Sequence, residues 1–550
     1  MVSYLVCGRR ASQPRTRCDG ATPTGERMTP DISDGVDNFV TEMDRAVTGA
    51  TLGTLALFVV LWLTMTETMR EGIIPGVRTA MLDTLGPVFL LLMIGFVLFA
   101  VVIIIGPWGG IRLGGPGASP TYSYPAYFAM FFSAGIAAGI VFWAPSEVLF
   151  HSASPPPFVA AEAGTAAAAD GALRTVFFHW GISAWAAYVA IGIPIGYYAY
   201  NRGAPLRVST LLLPFIGKEN LSHPLAKLVD VLAVFATIGG IATSVGFVSN
   251  QFLSGVQYQW GAQTTGLDTF LLVAGLTAIF TISAATGVKH GIRRISGLNA
   301  TLFLVLAVLT LVLGPTAYIL TNGSVALVGY LAGFIQMSVA GFGGGSWFHS
   351  WTLFYWVWWF SWAPFAGLFL AAISRGRTLR TVAATGVFAT AGATLAWFVI
   401  ISSTALQLQT SGAADILAVI NDVGYEVAGF PLFGALPLGE LLLFIFMALI
   451  VTWIVTSADT STLTVAILAT KPSTAPGTES RLFWGLLQGG VGFGIVVLGA
   501  GQGLQSAAVI TGGPFGLIAL VGIVGLAMEF YRTDTEGRSI TAGAFGGSDD

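Results

Sequence analysis

The sequence predicts an all-α polytopic membrane protein of twelve transmembrane helices, and three observations carry that prediction. Only 9% of its 550 residues are charged while 55% are hydrophobic, and the mean hydropathy is +0.78. A soluble chain carries roughly 25% charged residues, so several water-exposed domains are excluded. The apolar residues also gather into runs of the about 18 to 25 residues that a helix needs to cross a bilayer. Finally, the few charges lie in the connections, and mostly on alternate ones.

In chain order the runs fall near 47–66, 84–107, 124–150, 175–200, 226–255, 267–288, 297–320, 350–374, 381–405, 438–469, 482–500 and 506–530. Gly135, Gly139, Gly239, Gly240 and Pro364 inside them are tolerable because neighbouring helices satisfy the freed backbone groups. With the N-terminus inside, all but three of the 24 Lys and Arg face the cytoplasm, the exceptions being Arg70, Arg78 and Arg174. The positive-inside rule therefore predicts cytoplasmic N- and C-termini in a multi-pass protein of the cell membrane. Residues 1–45 read as a disordered cytoplasmic tail, 46–531 as the membrane domain and 532–550 as a short cytoplasmic tail. The first tail lacks the apolar core of a cleavable signal, so the first span is expected to act as an uncleaved one, and Met28 is a second possible start.

Among the outer connections, 151–173 reads as an irregular loop rich in Ala, Pro and Ser. Between 411 and 437, Ile416, Ile420 and Val423 share one helical face, which predicts a short helix lying at the membrane interface; Ser324 to Val339 reads the same way. No cytoplasmic loop can hold a nucleotide-binding domain and no P-loop is present, so ATP-driven transport by this chain alone is excluded. A net charge of −3 leaves no basic face for nucleic acid. Two cysteines, Cys7 and Cys18, exclude a disulfide scaffold or a Cys-rich metal cluster.

The most distinctive feature lies in the eighth span, where Trp347, Trp351, Trp356, Trp358, Trp359 and Trp362 are interleaved with Phe354, Tyr355 and Phe360. An interfacial aromatic belt accounts for Trp347 and Trp351 near the outer end. The others continue inward over most of the helix circumference, with Trp358 and Trp362 on one face and Trp359 about 100° round, so some face the protein interior. Indole faces attract cations that have lost their water, above all quaternary ammonium groups, at about 2 kcal/mol per desolvated contact. The fourth span carries a second group, His179, Trp180, Trp185 and Tyr188, in which Trp180 and Tyr188 share one side. Read alone, that group is equally well core packing.

The segment Trp351-Thr-Leu-Phe-Tyr-Trp-Val-Trp-Trp-Phe-Ser-Trp-Ala-Pro-Phe-Ala-Gly367, followed by Ile373-Ser-Arg-Gly-Arg-Thr378, resembles the signature of the betaine/carnitine/choline transporter family. The resemblance extends to His179-Trp180 with Tyr188, to Ala134-Gly135 and to Thr456-Ser457-Ala458-Asp459. It implies a LeuT-like five-plus-five inverted repeat, about 124–320 and 347–530, preceded by two peripheral helices and assembled as a homotrimer. It further implies uptake of a small onium compatible solute such as glycine betaine, by sodium symport with alternating access. A sodium-independent exchanger, a proton-coupled carrier of carnitine or choline, and a channel remain the alternatives.

For the substrate, the resemblance designates Trp180, Tyr188, Trp358, Trp359 and Trp362 as the cage for the onium head. The segment Gly135, Ala137, Gly139 is the family's glycine-rich substrate stretch, where main-chain N–H groups at a helix break would receive a carboxylate. Ala137 departs from the family's usual glycine, and Gly139 stands where proton-coupled choline carriers tend to have Asp, which favours a zwitterion. Thr243 and Ser244 are possible further partners of the carboxylate. For sodium, the hydroxyls of Thr456 and Ser457 would join the main-chain carbonyls of Ser133, Ile136 and Trp453. Hydroxyls in membrane helices more often bond back to their own helix, which is the competing reading. A weaker second sodium site keeps Thr237 but has Ile241 at the family's next threonine position. Two further acidic residues within spans stand out: Asp459, read as organising the hydroxyl pair, and Glu147, read as either a gate or a group reaching water. The five histidines form no metalloenzyme motif and no nucleophile elbow is present, so an enzyme is not expected. A C-terminal stretch with only Arg532 and Arg538 after Tyr531 makes osmotic activation through a basic tail unexpected.

Overall fold

The computed structural model describes residues 32–136, 139–288, 291–472, 475–497 and 501–535. Cys7, Cys18, the first four N-terminal arginines, Ala137 and Arg538 lie outside the described residues. Among those described, every element is helical, apart from two isolated bridges between extended residues. After a short α1 (Ile32–Glu42) come α2 (Arg45–Thr64), α3 (Glu67–Ile105), α4 (Tyr124–Ile136) and α5 (Gly139–Ala153). There follow α6 (Ala166–Trp180), α7 (Ile182–Asn201), α8 (Pro224–Trp260), α9 (Gly266–Thr286) and α10 (Ile292–Leu313). The second half holds α11 (Thr316–Gly343), α12 (Thr352–Ile373), α13 (Leu379–Ser411), α14 (Gly439–Ala469), α15 (Thr478–Val497) and α16 (Gly501–Thr535).

Twelve helices are long and apolar enough to cross a membrane, or 13 when the bent pair α4 and α5 is counted as one span. All twelve runs read from the sequence have a counterpart. The further candidate is α11, the segment assigned from its sequence to the interface; it passes the length and hydropathy test and presents Val325, Val328, Leu331, Ile335 and Val339 outward. Exposure of so many aliphatic side chains on α2, α9, α10 and α11 would make an intolerable patch in water and suits a lipid surface. By contrast α6, α7, α8 and α12 are buried on nearly every side and form the centre.

Small residues set the central packing. A Cβ at Gly367 would lie 2.9 Å from Tyr188 O and from the Ile191 side chain, and one at Gly192 would lie 2.9 Å from Gly367 O. Without side chains at these points α7 and α12 approach backbone to backbone, as small residues allow in membranes. That approach places Tyr188 opposite the tryptophans of α12.

Two expectations about connections are corrected. The N-terminal stretch 1–45 is not wholly without structure: α1 packs Phe39 against Phe483 at 5.0 Å, and Glu42 accepts the Gly477 N–H at 2.9 Å. The polar composition that suggested disorder belongs to a helix anchored by one aromatic contact and its last-turn carboxylate. The segment after Ser411 turns most of its predicted face into the protein: Ile416 and Ile420 are buried, Val423 stays exposed, and Tyr425 stacks on Trp143 of α5 at 5.3 Å. Periodicity cannot distinguish a face that meets protein from one that meets lipid.

One polar knot lies near the start of α8. Arg207, 4% exposed, is 3.3 Å from Asp230 and 3.5 Å from Asp44, and it also donates to Thr470 O at the end of α14. Lys227 adds a second contact to Asp44 at 3.1 Å. Replacing Asp230 by Ala would leave the Arg207 guanidinium buried with only the more distant Asp44. We expect a loss of about 3 kcal/mol, read as a lower midpoint of unfolding in detergent, while Asp422→Ala at the exposed end of the short helix Ile416–Asp422 leaves it unchanged.

Candidate functional site

The site is built on two interrupted helices. Residues Tyr124–Gly135 and Gly139–Ala153 meet at an angle of 58°. Their ends face different chemistry, because a helix leaves carbonyls free at its C-terminus and N–H groups free at its N-terminus. The second interruption is Gly181 between α6 and α7, with φ −86° and ψ −129°. There the backbone groups released by the break find side-chain partners: Trp359 Nε1 donates to His179 O at 3.0 Å, and Ile182 N donates to Tyr330 Oη at 3.2 Å.

Around these breaks the aromatic residues converge. The ring centroids of Trp180 and Trp359 are 5.0 Å apart at 75°, those of Tyr188 and Trp359 6.5 Å, and those of Trp358 and Trp359 6.1 Å. Tyr355, outside the expected set, completes the group at 5.4 Å from Trp180 and 5.9 Å from Trp359. The two glycines lie under this cluster. A Cβ at Gly135 would be 2.6 Å from the Trp185 ring and 3.3 Å from that of Tyr188, and one at Gly139 would be 3.1 Å from Trp180. Gly135 and Gly139 are thus the floor on which the rings rest rather than a helix-to-helix contact. Trp185, also outside the expected set, is held by a bond from its Nε1 to Thr394 Oγ1 at 3.1 Å.

Trp362 is not brought into the cluster. It lies one turn further along α12 against Phe365 at 5.2 Å, with its Nε1 3.1 Å from where a Cβ of Gly240 would be. A spacing of four residues keeps it on the face of Trp358, whose own ring contacts are with Phe354, Tyr355 and Trp359 of the same helix, whereas Trp180 and Tyr188 meet α12 at Trp359, about 100° round. The rings that do meet are in edge and face contact, which leaves no room between Trp180 and Trp359 for a trimethylammonium group. The arrangement is closed. A cavity of about 230 Å³ lies elsewhere, beside Asp170, Arg174 and Gln336.

Behind the rings stands Glu147, fully buried on α5. Its Oε2 accepts from Trp180 Nε1 at 2.6 Å and from Tyr355 Oη at 2.6 Å. Its Oε1 lies 2.7 Å from His179 Nδ1 and 3.3 Å from His151 Nε2, and His179 Nε2 is 3.1 Å from Thr352 Oγ1. Of its two sequence readings, a gate or a group reaching water, burial removes the second. Glu147, His151 and His179 offer ligand atoms within 4.8 Å of one another, close enough for a metal ion, but these atoms are already paired among themselves.

The hydroxyls of α14 meet the C-terminal end of α4. Thr456 Oγ1 donates to Ser133 O at 3.2 Å and Trp453 O at 2.8 Å, while Ser457 Oγ is 3.2 Å from Ser133 O and 3.4 Å from Ala134 O. Five oxygens of the hard type that sodium requires therefore converge. Ala134 supplies one that the sequence did not designate. Asn299 on α10 braces the group, bonding Ser133 Oγ at 3.2 Å and accepting from Thr452 at 3.0 Å. Asp459 turns away, toward Ser283 on α9 at 2.5 Å.

The remaining hydroxyls bond within α8. Thr237 donates to Ala233 O at 2.6 Å, Thr243 to Gly239 O at 2.8 Å and Ser244 to Gly240 O at 2.9 Å. All three follow the pattern usual for hydroxyls in membrane helices, and none is paired with the aromatic cluster.

Comparison with known proteins agrees with this architecture. The family described as "BCCT, betaine/carnitine/choline family transporter" matches residues 46–535. The chain is similar to a probable glycine betaine transporter of Desulfitobacterium hafniense, 34% identical over 85% of this chain and 94% of that one. It is 32% identical to the glycine betaine transporter OpuD of Bacillus subtilis, over 87% and 93%. It is also 32% identical to an ectoine/hydroxyectoine transporter of Virgibacillus pantothenticus, over 79% and 86%.

The glycine floor makes a direct prediction. In Gly135→Ala the new methyl would stand 2.6 Å from the Trp185 ring, so the ring must move and carry Tyr188 with it. Affinity for an onium ligand should fall about tenfold while Gly117→Ala, at an open loop position, leaves it unchanged, as measured by tryptophan fluorescence titration.

Proposed function

The chain belongs to the betaine/carnitine/choline transporter family, and from that premise we propose that it takes up an onium compatible solute such as glycine betaine by sodium symport with alternating access. The family is one of membrane transporters and not of enzymes. The convergence of Trp180, Tyr188 and Trp359, with Trp358 beside Trp359, from three helices at two backbone breaks carries the reading, because indole faces are what hold a desolvated cation. The rings must part to admit a ligand, which fits a closed state of an alternating-access cycle. The substrate carboxylate would lie at the N-terminal end of α5 beside Gly139, where free N–H groups and the helix dipole favour an anion. Thr243 and Ser244 would join it only by exchanging their bonds within α8.

The relatives named for glycine betaine support that substrate, and the absence of an acidic side chain at Gly139 suits a zwitterion. Sodium would sit among Thr456, Ser457 and the carbonyls of Ser133, Ala134 and Trp453, tying α4 to α14. Occupation there would hold the break between α4 and α5 in its binding geometry, which couples ion to substrate. Thr237 contributes little to a second ion because its hydroxyl already serves its own helix. The distribution of Lys and Arg supports cytoplasmic termini, and the family's inverted repeat and trimeric assembly are part of the same proposal.

One observation favours proton coupling as a second reading. Asp459 is buried and bonds to Ser283 and Thr460, with no basic side chain paired to it among the described residues. Uptake of labelled glycine betaine into proteoliposomes separates the two: accumulation that requires external sodium supports symport, and accumulation driven by a pH gradient in potassium buffer overturns it.

Two substitutions test the site. Trp359→Ala should weaken betaine binding by about 30-fold or more, the equivalent of one lost desolvated cation–π contact; an unchanged affinity would remove the cage. Thr456→Val should raise the sodium concentration for half-maximal uptake about tenfold while sparing substrate affinity at saturating sodium.

A further inference from the structure

Resting on the cage reading, we propose that Glu147 is a positioning residue that makes the aromatic cage selective for positive charge. The geometry divides its carboxylate into two halves. Oε2 is bonded to the two cage side chains that possess a polar edge nearby, Trp180 and Tyr355, both at 2.6 Å. Oε1 is held by His179 at 2.7 Å and His151 at 3.3 Å. An indole N–H can only donate, and the Tyr355 hydroxyl donates beside it, so Oε2 is an acceptor; with both imidazoles in the tautomers that donate to Oε1, an ionised carboxylate is satisfied without a proton of its own to place.

Two consequences follow for the ligand. First, the bonds hold the orientation of both rings, which meet edge to face at 67° and 5.4 Å. Second, a donor ring bonded to a carboxylate gains electron density on its face, and the unit charge behind it is poorly screened in a buried setting. The anion thus attracts a cation through the rings without touching it. Direct contact would demand water or a hydrogen bond from the ligand, which a trimethylammonium head cannot give. Placing the carboxylate behind aromatic walls keeps the pocket apolar for the methyl groups and electronegative for the nitrogen.

The experiment uses two probes of the same shape: glycine betaine, and 3,3-dimethylbutanoate, in which carbon replaces the charged nitrogen. Binding of each to the purified full chain gives an affinity ratio that reports on charge alone. We expect the wild-type protein to prefer betaine, Glu147→Gln to reduce that preference about tenfold, and Glu147→Asp to restore part of it. A wild-type ratio near one would overturn the cage reading itself. A normal wild-type ratio that stays unchanged in Glu147→Gln, with both ligands weakened by one factor, would leave the cage standing and reduce Glu147 to a structural brace. Should Glu147→Gln fail to fold, Tyr355→Phe serves in its place. It keeps the ring and removes one bond to Oε2, and an unchanged ratio in that variant overturns the proposal equally.

Discussion

The obligation to satisfy every backbone polar group away from water shapes this protein more than any side-chain contact does. A continuous helix meets it automatically. An interrupted one does not, and here α4 and α5 diverge by 58° while α6 and α7 part at Gly181. A side chain that repairs the second break also joins the aromatic cluster: Trp359 closes the His179 carbonyl, and the same indole meets Trp180 and Tyr188 in T-shaped contacts. Repair and recognition are therefore one arrangement. Disturbing the backbone at Gly181 would release Trp359, and removing Trp359 would strip a buried carbonyl of its partner.

The first break divides labour in another way. Carbonyls at the end of α4 reach the hydroxyls of Thr456 and Ser457, and the start of α5 lies beneath Trp180. A cation on one side and an anion on the other are what the two ends of a split helix favour. Because both ends belong to one break, a change in the angle between α4 and α5 alters both sites together. That geometric link offers a route by which ion and substrate influence each other without direct contact.

How much of this was legible in the sequence differs from residue to residue. Trp180, Tyr188 and Trp359 stood out because tryptophan inside a span is rarely accidental, and Thr456 with Ser457 because adjacent hydroxyls are. Trp362 was misplaced relative to the cage because periodicity gives a face but not which neighbour that face meets. Thr243, Ser244 and Thr237 kept their bonds within α8, an option that a hydroxyl on any helix has. Glu147 and Tyr355 were missed as site residues. Nothing in their own segments shows that Trp180 lies 2.6 Å from one and that the other shares the same oxygen. The helix α1 escaped notice since its stability comes from Phe483, far away in the chain.

The sequence alone determined the medium and the helical class, since hydropathy and span length are properties of local stretches that the bilayer reads directly. Scarcity of charge even suggested that a cation is held without a carboxylate. Tertiary structure put the Glu147 carboxylate one layer behind the indoles, buried and bonded to Trp180 and Tyr355. It also decided which tryptophans meet and where both breaks find their partners. These outcomes depend on contacts between residues distant in sequence, whose distances are fixed only when glycines such as Gly192 and Gly367 let two helices close on each other.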